Sequence, residues 1–443
     1  MPRSLLNGIR ASQLIEEAVS APIARLKLDE ETLAGVVRLH ERFVSGQPGG
    51  KRAVLKFADF KGVNLSGRNL ADADLTGCLF EGANLSKTIF SRANLYGCDF
   101  RKADLRQAKL NRADMRGACL RGADLGHADL TEADFREGEV AVASKKDGLT
   151  VLKHERRVGE ADNASFVGAT LDGSKFNGAS ANGADFAECS MKGVKLTGAQ
   201  LKNANLTGAN LDGADLQGAV LLGAVFHGAI LSNVSLGANR LSAEATAGAL
   251  LDPSGAALER AIDLDQMAQS HQLWWETNGA KGSPARFDGE DLRPLGNKFR
   301  AMRLTAVSAR NALAAGCIFL ESQLQGAVFD GADLRGAIFC GADLRGASFV
   351  GARLTKADFR KAQLSPLKLP NGQLKPANFT DSVIRYAIFD HADIREALFY
   401  DADPTGARFT GVNAAGMKRG PRPGGQSASS DDGAAGGSAP AAA

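Results

Sequence analysis

The sequence predicts a mainly β, four-sided solenoid, and two observations lead to this fold class. The first is a five-residue period: every fifth residue from Leu55 to Val140 is large and apolar, usually with a small residue two places earlier and often Asp or Asn one place earlier. The second is a skewed composition, with 51 Gly and 22 Phe beside 2 Trp and 3 Tyr among 443 residues. A period of five fits neither a helix nor a flat strand, so the chain must turn a corner once per unit.

The same period returns twice further along the chain. It runs from Phe166 to Leu241 and again from Phe299 to Phe409. Four central positions in these two runs depart from it: Ala181, Ala309, Ala314 and Pro404. Together the three runs predict about fourteen stacked coils, each rising by one strand spacing.

The number of sides per coil follows from which apolar residue stands at each central position. Equivalent positions in successive coils stack and tend to share volume. The third run predicts one column of phenylalanines at twenty-residue spacing: Phe299, Phe319, Phe339, Phe359, Phe379 and Phe399. A second series is offset by ten residues: Phe329, Phe349, Phe389 and Phe409. Leu and Ile fill the positions between them, so twenty residues make one four-sided coil.

These units resemble the repeats of the pentapeptide-repeat family. The resemblance is carried by stretches such as ADADLTGCLFEGANLSKT, between Leu70 and Ile89, and GAVFDGADLRGAIFCGADLRGASF, from Gly326 to Phe349. It covers about two thirds of the chain and implies a right-handed quadrilateral β-helix. Its best-understood members resemble duplex DNA in shape and charge and bind a type II topoisomerase, but one fold hosts many functions.

Segments without the period divide the chain. The predicted order is an N-terminal helical cap (1–50), β-helix (51–140), an inserted hairpin (141–165), β-helix (166–242), a second helical module (243–298), β-helix (299–413) and a disordered tail (414–443). The tail contains mostly Gly, Ser, Ala and Pro, which cannot bury enough apolar surface to fold.

The two helical modules have matching spacings, which predicts one module used twice. Leu14, Ile15, Ala18 and Val19 form one helical stretch, and Asp29 is the predicted N-cap of the next helix. His40 lies fifteen residues before the central residue Leu55, and His271 lies sixteen residues before the central residue Phe287. An open solenoid end needs a cap, so we expect five residues to pack there: His40, Phe43, His271, Trp274 and Trp275. The alternative is that they line a ligand pocket or a groove for a partner.

Two basic features are candidate interaction surfaces. The segment VAVASKKDGLTVLKHERR (140–157) predicts a β-hairpin with an Asp147-Gly148 turn. Its basic residues are Lys145, Lys146, Lys153, Arg156 and Arg157. The second surface is a group of arginines on the first β-helix: Arg92, Arg101, Arg112 and Arg121. The alternatives are a solvated hairpin without a function, and arginines screened by nearby Asp columns.

No catalytic chemistry is predicted. The six His are scattered, no Cys or His group has zinc-ligand spacing, and no phosphate-binding loop occurs, so we predict no enzyme, metal or cofactor. The sequence shows no signal peptide or membrane span, and we expect a cytoplasmic protein.

The sequence therefore predicts a non-enzymatic scaffold that binds protein partners of unknown identity. Two other functions stay open: topoisomerase binding by DNA mimicry, and binding of nucleic acid or a nucleotide through the hairpin or the arginines. The near-zero formal charge of +3 disfavours DNA mimicry, which needs dense negative charge. An exposed coil end would also permit dimerisation.

Overall fold

The structure, a computed structural model, describes residues 25–146 and 149–423, and for residues 140–154 it describes the backbone alone. The chain divides into two compact units, Met1–Asp252 (Unit 1) and Pro253–Ala443 (Unit 2). The helical stretch predicted at residues 14–19, the predicted Asp147-Gly148 turn and the tail beyond residue 423 lie outside the described residues. Within the described part, no helix is long and apolar enough to cross a membrane.

Each five-residue unit forms one corner of a coil, as Leu70 illustrates. The carbonyl of Leu70 accepts a hydrogen bond from the N–H of Ala73 (3.2 Å), which closes a four-residue β-turn. Asp72, the third residue of this turn, has a φ of +62°, and glycine holds the same place in many units because it adopts positive φ without strain. The N–H of Leu70 donates to the carbonyl of Ile89 (2.7 Å), which joins the corner to the next coil.

The Asp or Asn before each central residue has a local cause. The Oδ1 of Asn84 accepts hydrogen bonds from the backbone N–H (3.2 Å) and the Oγ (2.8 Å) of Ser86. Such bonds to the backbone two residues later are typical of Asn and Asp in turns. The backbone bond recurs at Asn64, Asn69, Asp74, Asn94, Asp99 and Asp104. These side chains therefore help to hold the corners of the first β-helix.

Phenylalanine rings stack in columns within the cores of both units. In Unit 1 the Phe80 ring stacks between Phe60 (5.3 Å between centroids) and Phe100 (5.1 Å). In Unit 2 Phe339 stacks on Phe319 at 4.9 Å. Parallel bridges join residues twenty apart along the coils, which confirms the twenty-residue coil.

The helices lie before the first complete coil of each unit. Helix α1 spans Glu30–Val44 and α2 spans Gly255–Glu276. Asp29 is the N-cap of α1, as predicted, and its side chain accepts from the N–H of Thr32 (2.8 Å). In each unit the helix contributes buried residues to that unit's core: Leu33 and Val37 from α1, and Leu264 and Ala268 from α2. A short 3₁₀ helix, Arg293–Leu295, follows α2.

A β-hairpin interrupts the coils of Unit 1. Strands β1 (Gly138–Lys146) and β2 (Leu149–Arg157) pair in antiparallel fashion and form a two-stranded sheet. The hairpin starts before the predicted boundary, because Val140 pairs with Glu155 inside it. Val140 is therefore not a central coil residue, and Phe135 is the last one before the insertion.

The predicted coil units at Leu369 and Leu374 are wrong, and so is the predicted stacking of Phe379 on Phe359, although the five-residue interval resumes at Phe379. The residues after Leu364 leave the coil as a second hairpin, β3 (Leu367–Lys368) paired with β4 (Leu374–Lys375). Leu374, predicted as a central residue, is 56% exposed. The ten added residues exchange the two phenylalanine columns, so that Phe349 stacks on Phe379 (4.8 Å) and Phe359 stacks on Phe389 (4.8 Å).

The coils of Unit 2 also extend past the predicted boundary at residue 413. Strands β5 (Leu398–Tyr400) and β6 (Lys418–Gly420) pair in parallel, one coil apart. Phe409 and Met417 pack against the core of the unit. The first ten residues of the predicted tail, 414–423, are thus described, and part of them completes a coil.

Candidate interaction surfaces

The β1–β2 hairpin leaves the coil at an anchored base. The hydroxyl of Tyr96, 43 residues earlier in the chain, donates to the carbonyl of Glu139 (2.8 Å) and accepts from the Glu139 N–H in a short hydrogen bond. The guanidinium of Arg116 lies over the Tyr96 ring, 5.3 Å from its centroid. The start of strand β1 is therefore fixed to the wall of the coil.

Glycines at both ends of the insertion allow this close packing. A Cβ added to Gly138 would lie 2.8 Å from the Tyr96 hydroxyl, and one added to Gly159 would lie 2.2 Å from the Phe135 carbonyl oxygen. Cys119 forms a ladder bridge with Glu160, across the inserted segment. The coil thus resumes in register as soon as the hairpin ends.

The predicted basic residues of the hairpin are described only in part. Arg156 and Arg157 approach carboxylates loosely, at 4.0 Å from Glu139 and 3.9 Å from Glu160. The side chains of Lys145, Lys146 and Lys153 lie outside the described part of the structure. Their positions on the paired strands are given by the backbone alone.

The four arginines of the predicted basic surface each face a carboxylate. Arg92 pairs with Asp72 (2.6 Å), Arg101 with Asp99 (2.6 Å), Arg112 with Glu132 (2.7 Å) and Arg121 with Glu160 (3.8 Å). The bond to Asp99 raises the pKa of Arg101, while the bond to Arg101 helps to lower the pKa of Asp99 against the effect of burial. The structure therefore does not support an unscreened cationic patch at these residues.

A sequence signal for this pairing is the spacing Asp-x-Arg, centred on an apolar core residue. Residues before and after a central residue point to the same outer face, because side chains alternate along an extended segment. The guanidinium of Arg345 donates two hydrogen bonds to the carboxylate of Asp343, from Nε to Oδ1 (2.9 Å) and from Nη2 to Oδ2 (2.7 Å). The same pairing occurs in Asp99/Arg101, Asp104/Arg106, Asp114/Arg116, Asp134/Arg136, Asp291/Arg293, Asp333/Arg335, Asp358/Arg360 and Asp393/Arg395.

His40 joins the end of α1 to the first coil of Unit 1. Its ring is fully buried, the Nδ1 accepts the N–H of Ala53 (3.0 Å), and the Nε2 lies 2.9 Å from the carbonyl oxygen of Ala71. We call this arrangement of one ring and two backbone groups a histidine clamp. Burial is the main cause that lowers the pKa of His40.

His271 forms a second histidine clamp in Unit 2. Its Nδ1 accepts the N–H of Ala285 (2.9 Å), and its Nε2 lies 3.1 Å from the carbonyl oxygen of Thr305. Burial again lowers the pKa of this histidine. The two helical modules therefore share the same histidine hydrogen bonds. The matching sequence spacings predict that the modules are alike, but they do not identify these bonds.

The aromatic residues of the modules differ in their burial. The His40 ring stacks on Phe43 (5.9 Å) and the His271 ring contacts Trp274 (5.7 Å). Phe43 and Trp275 are about 40% exposed, so they lie at the margin of the caps rather than inside them. A glycine packs against the backbone at each helix end. A Cβ added to Gly50 would lie 2.3 Å from the backbone nitrogen of Phe43, and one added to Gly282 would lie 2.7 Å from the backbone nitrogen of Trp274.

No metal centre is found in the residues that the structure describes, since they contain no group of three or more His, Cys, Asp or Glu that could hold an ion. All six cysteines are free thiols, and five of them are buried. Burial raises the pKa of Cys78 and of Cys317 to about 12. These thiols are therefore protonated and shielded, as core residues are.

Comparison with known proteins identifies the family. A model of pentapeptide repeats matches residues 69–107, 98–137, 164–203, 199–237, 303–341, 339–365 and 377–413, more than half of the chain. The chain belongs to the pentapeptide-repeat family, and its fold is the right-handed β-helix of that family.

Several solved structures of the family are similar to parts of this chain. Full-length QnrB1, a plasmid-mediated fluoroquinolone resistance protein, is 22% identical over 47% of this chain and 96% of its own, with a TM-score of 0.23. HetL from the cyanobacterium Nostoc sp. strain PCC 7120, involved in the regulation of heterocyst differentiation, is 20% identical over 85% of this chain and 93% of its own, with a TM-score of 0.16. No curated protein matches the chain.

Proposed function

We propose that the chain is a non-enzymatic scaffold that binds protein partners, and that the β1–β2 hairpin is its docking element. One observation carries this proposal: the coil of Unit 1 is interrupted by a hairpin whose base is tied to the wall through Tyr96. Loops on rigid scaffolds are common places for binding. A two-stranded sheet also leaves one unpaired edge on each strand, which a partner segment can cover.

The charge distribution supports a protein partner over nucleic acid. Each of the four predicted surface arginines faces a carboxylate, which leaves less cationic surface to contact phosphates. The formal charge of +3 also disfavours mimicry of DNA. Six free thiols are typical of a reducing compartment, and we propose that the scaffold acts in the cytoplasm.

Excision of the hairpin tests the proposal without breaking the coil. Removing residues 138–158 places Ala161 five residues after Phe135, which is the regular spacing of central residues. The matched control removes residues 366–375, the β3–β4 hairpin, and restores the same spacing between Leu364 and Phe379. Both variants should retain the circular dichroism spectrum of the intact chain.

The readout is the set of proteins captured from the source cell by each variant. We expect the partners of the intact chain to be lost when residues 138–158 are removed and kept when residues 366–375 are removed. Unchanged capture by the first variant would exclude the hairpin as the docking element. Double charge reversal at Arg156 and Arg157 separates a role of their charge from a role of the hairpin backbone.

A further inference from the structure

The two histidine clamps impose one protonation state on their rings. The Nδ1 of His40 accepts from the Ala53 N–H, and the Nδ1 of His271 accepts from the Ala285 N–H. A nitrogen that accepts carries no proton, so each neutral ring must hold its proton on Nε2, which then donates to the facing carbonyl. The hydrogen-bond partners therefore assign the tautomer of both rings.

Protonation is incompatible with the clamp. A proton added at Nδ1 would point at the N–H of the alanine, so two donors would face each other in a buried site. An imidazolium in that position is also separated from water, which disfavours the charged form. The bond to the alanine N–H and a proton on Nδ1 therefore exclude each other, so a ring that takes up a proton cannot stay in the clamp.

We propose that His40 and His271 make the two helical caps acid-sensitive: proton uptake at Nδ1 breaks the bond to the alanine N–H and releases the end of α1 or α2 from the first coil. Release uncovers the apolar residues that the helices bury, among them Leu33 and Val37 in Unit 1 and Leu264 in Unit 2. The solenoid ends thereby become accessible at mildly acid pH.

The charged groups around the two rings differ. His40 is faced by Glu41 from α1, by Arg52 from the segment that leads into the coil and by Asp72 from the next corner. The two carboxylates favour a charge on His40, whereas Arg52 opposes it. Among the described residues, no charged side chain hydrogen-bonds or pairs with His271, which packs against Trp274. We therefore expect the Unit 2 clamp to lose more stability in acid than the Unit 1 clamp.

The direction of the pH effect follows from linkage. The released ring has an ordinary pKa of about 6.5, and the clamped ring has a lower pKa, so the released form binds more protons. The clamp is at full strength above about pH 6.5 and weakens as the pH falls from there toward the lowered pKa. Protonation of the released ring can raise the opening equilibrium by at most about 30-fold between pH 8 and pH 5.

Hydrogen exchange of the full chain, measured by mass spectrometry, tests this inference. The readout is the protection of peptides from α2 and from α1 at pH 8 and pH 5, corrected for the intrinsic exchange rate. We expect protection at α2 to fall by up to about 30-fold at pH 5. In His271→Asn, which retains a short acceptor but cannot titrate, protection should change by less than about threefold.

The two clamps serve as controls for each other. His40→Asn should abolish the pH response of α1 and leave that of α2 intact, and His271→Asn should do the reverse. Emission of Trp274 and Trp275, the only tryptophans of the chain, reports the Unit 2 cap independently and should shift reversibly to the red in acid. If His271→Asn does not fold, the same hydrogen-exchange measurement is made on His271→Gln, and the pH dependence of the wild-type tryptophan emission is the second readout. Unchanged protection at pH 5, or a response that survives in the Asn variant, would overturn the inference.

Discussion

The phenylalanine columns give the clearest quantitative prediction, because their rings have well-defined neighbours. The Phe339 ring is fully buried and stacks between Phe319 (4.9 Å) and Phe359 (5.0 Å). Phe329 (5.8 Å) and Phe349 (5.7 Å) contact it edge to face. Replacing Phe339 by Ala leaves a cavity that these rings cannot refill, and we expect Unit 2 to lose about 3–5 kcal/mol of its free energy of unfolding.

Urea unfolding, monitored by tryptophan emission, measures this loss of stability in Unit 2. Both tryptophans lie in α2, so their emission reports Unit 2. With a urea dependence of about 1–3 kcal/mol per M, the midpoint should fall by at least about 1 M. Arg345→Ala is the matched control, since this half-exposed arginine pairs with Asp343 on the outside of the same coil and should cost at most about 1 kcal/mol. A loss at Phe339→Ala no larger than at Arg345→Ala would refute the stacked-column core.

Four further variants test other parts of the structure. Tyr96→Phe removes the hydroxyl that holds Glu139 and should increase hydrogen exchange in β1 while costing about 1 kcal/mol of stability. Gly159→Ala should destabilise Unit 1 by about 1–3 kcal/mol or more in thermal unfolding, because its methyl group would meet the Phe135 carbonyl. Gly35→Ala should instead stabilise α1 by about 0.5–1 kcal/mol, since nothing lies within 4 Å of the added carbon. With a thiol reagent under native conditions, Cys340 should be the one fast-reacting cysteine, and Cys340→Ser should remove that phase.

The sequence predicts the coil well because the residues that form each corner lie within one five-residue unit. The central apolar residue, the Asp or Asn before it and the glycine at the turn all act within five residues, as Asn84 and Ser86 show. The same locality makes the helix start at Asp29 predictable. Features that depend on short-range chemistry can thus be deduced from one chain.

The errors arise where spacing alone cannot distinguish a coil from a hairpin. Leu369 and Leu374 keep the five-residue interval, yet they belong to the β3–β4 hairpin and its turn. Val140 likewise keeps the interval inside β1. Prolines at 366, 370 and 376 are the local signal that the chain leaves the coil, because proline cannot donate to the ladder between coils.

The candidate sites depend on contacts that one sequence does not display. Arg101 is basic in the sequence, but Asp99 two residues earlier lies on the same face and pairs with it. The spacing of His40 and His271 predicts two matching helical modules. The hydrogen bonds from Ala53 to His40 and from Ala285 to His271 can be seen only in the structure, because both alanines lie in the segment that follows the helix.

Site-specific photo-crosslinking in the source cell tests the scaffold proposal most directly. A photoreactive residue is placed at Lys145 in β1 and, in a second variant, at Lys192 on the exposed coil wall of Unit 1. We expect a defined protein partner to be linked through position 145 and not through position 192. The absence of a link at position 145, or equal links at both positions, would contradict a docking role for the hairpin.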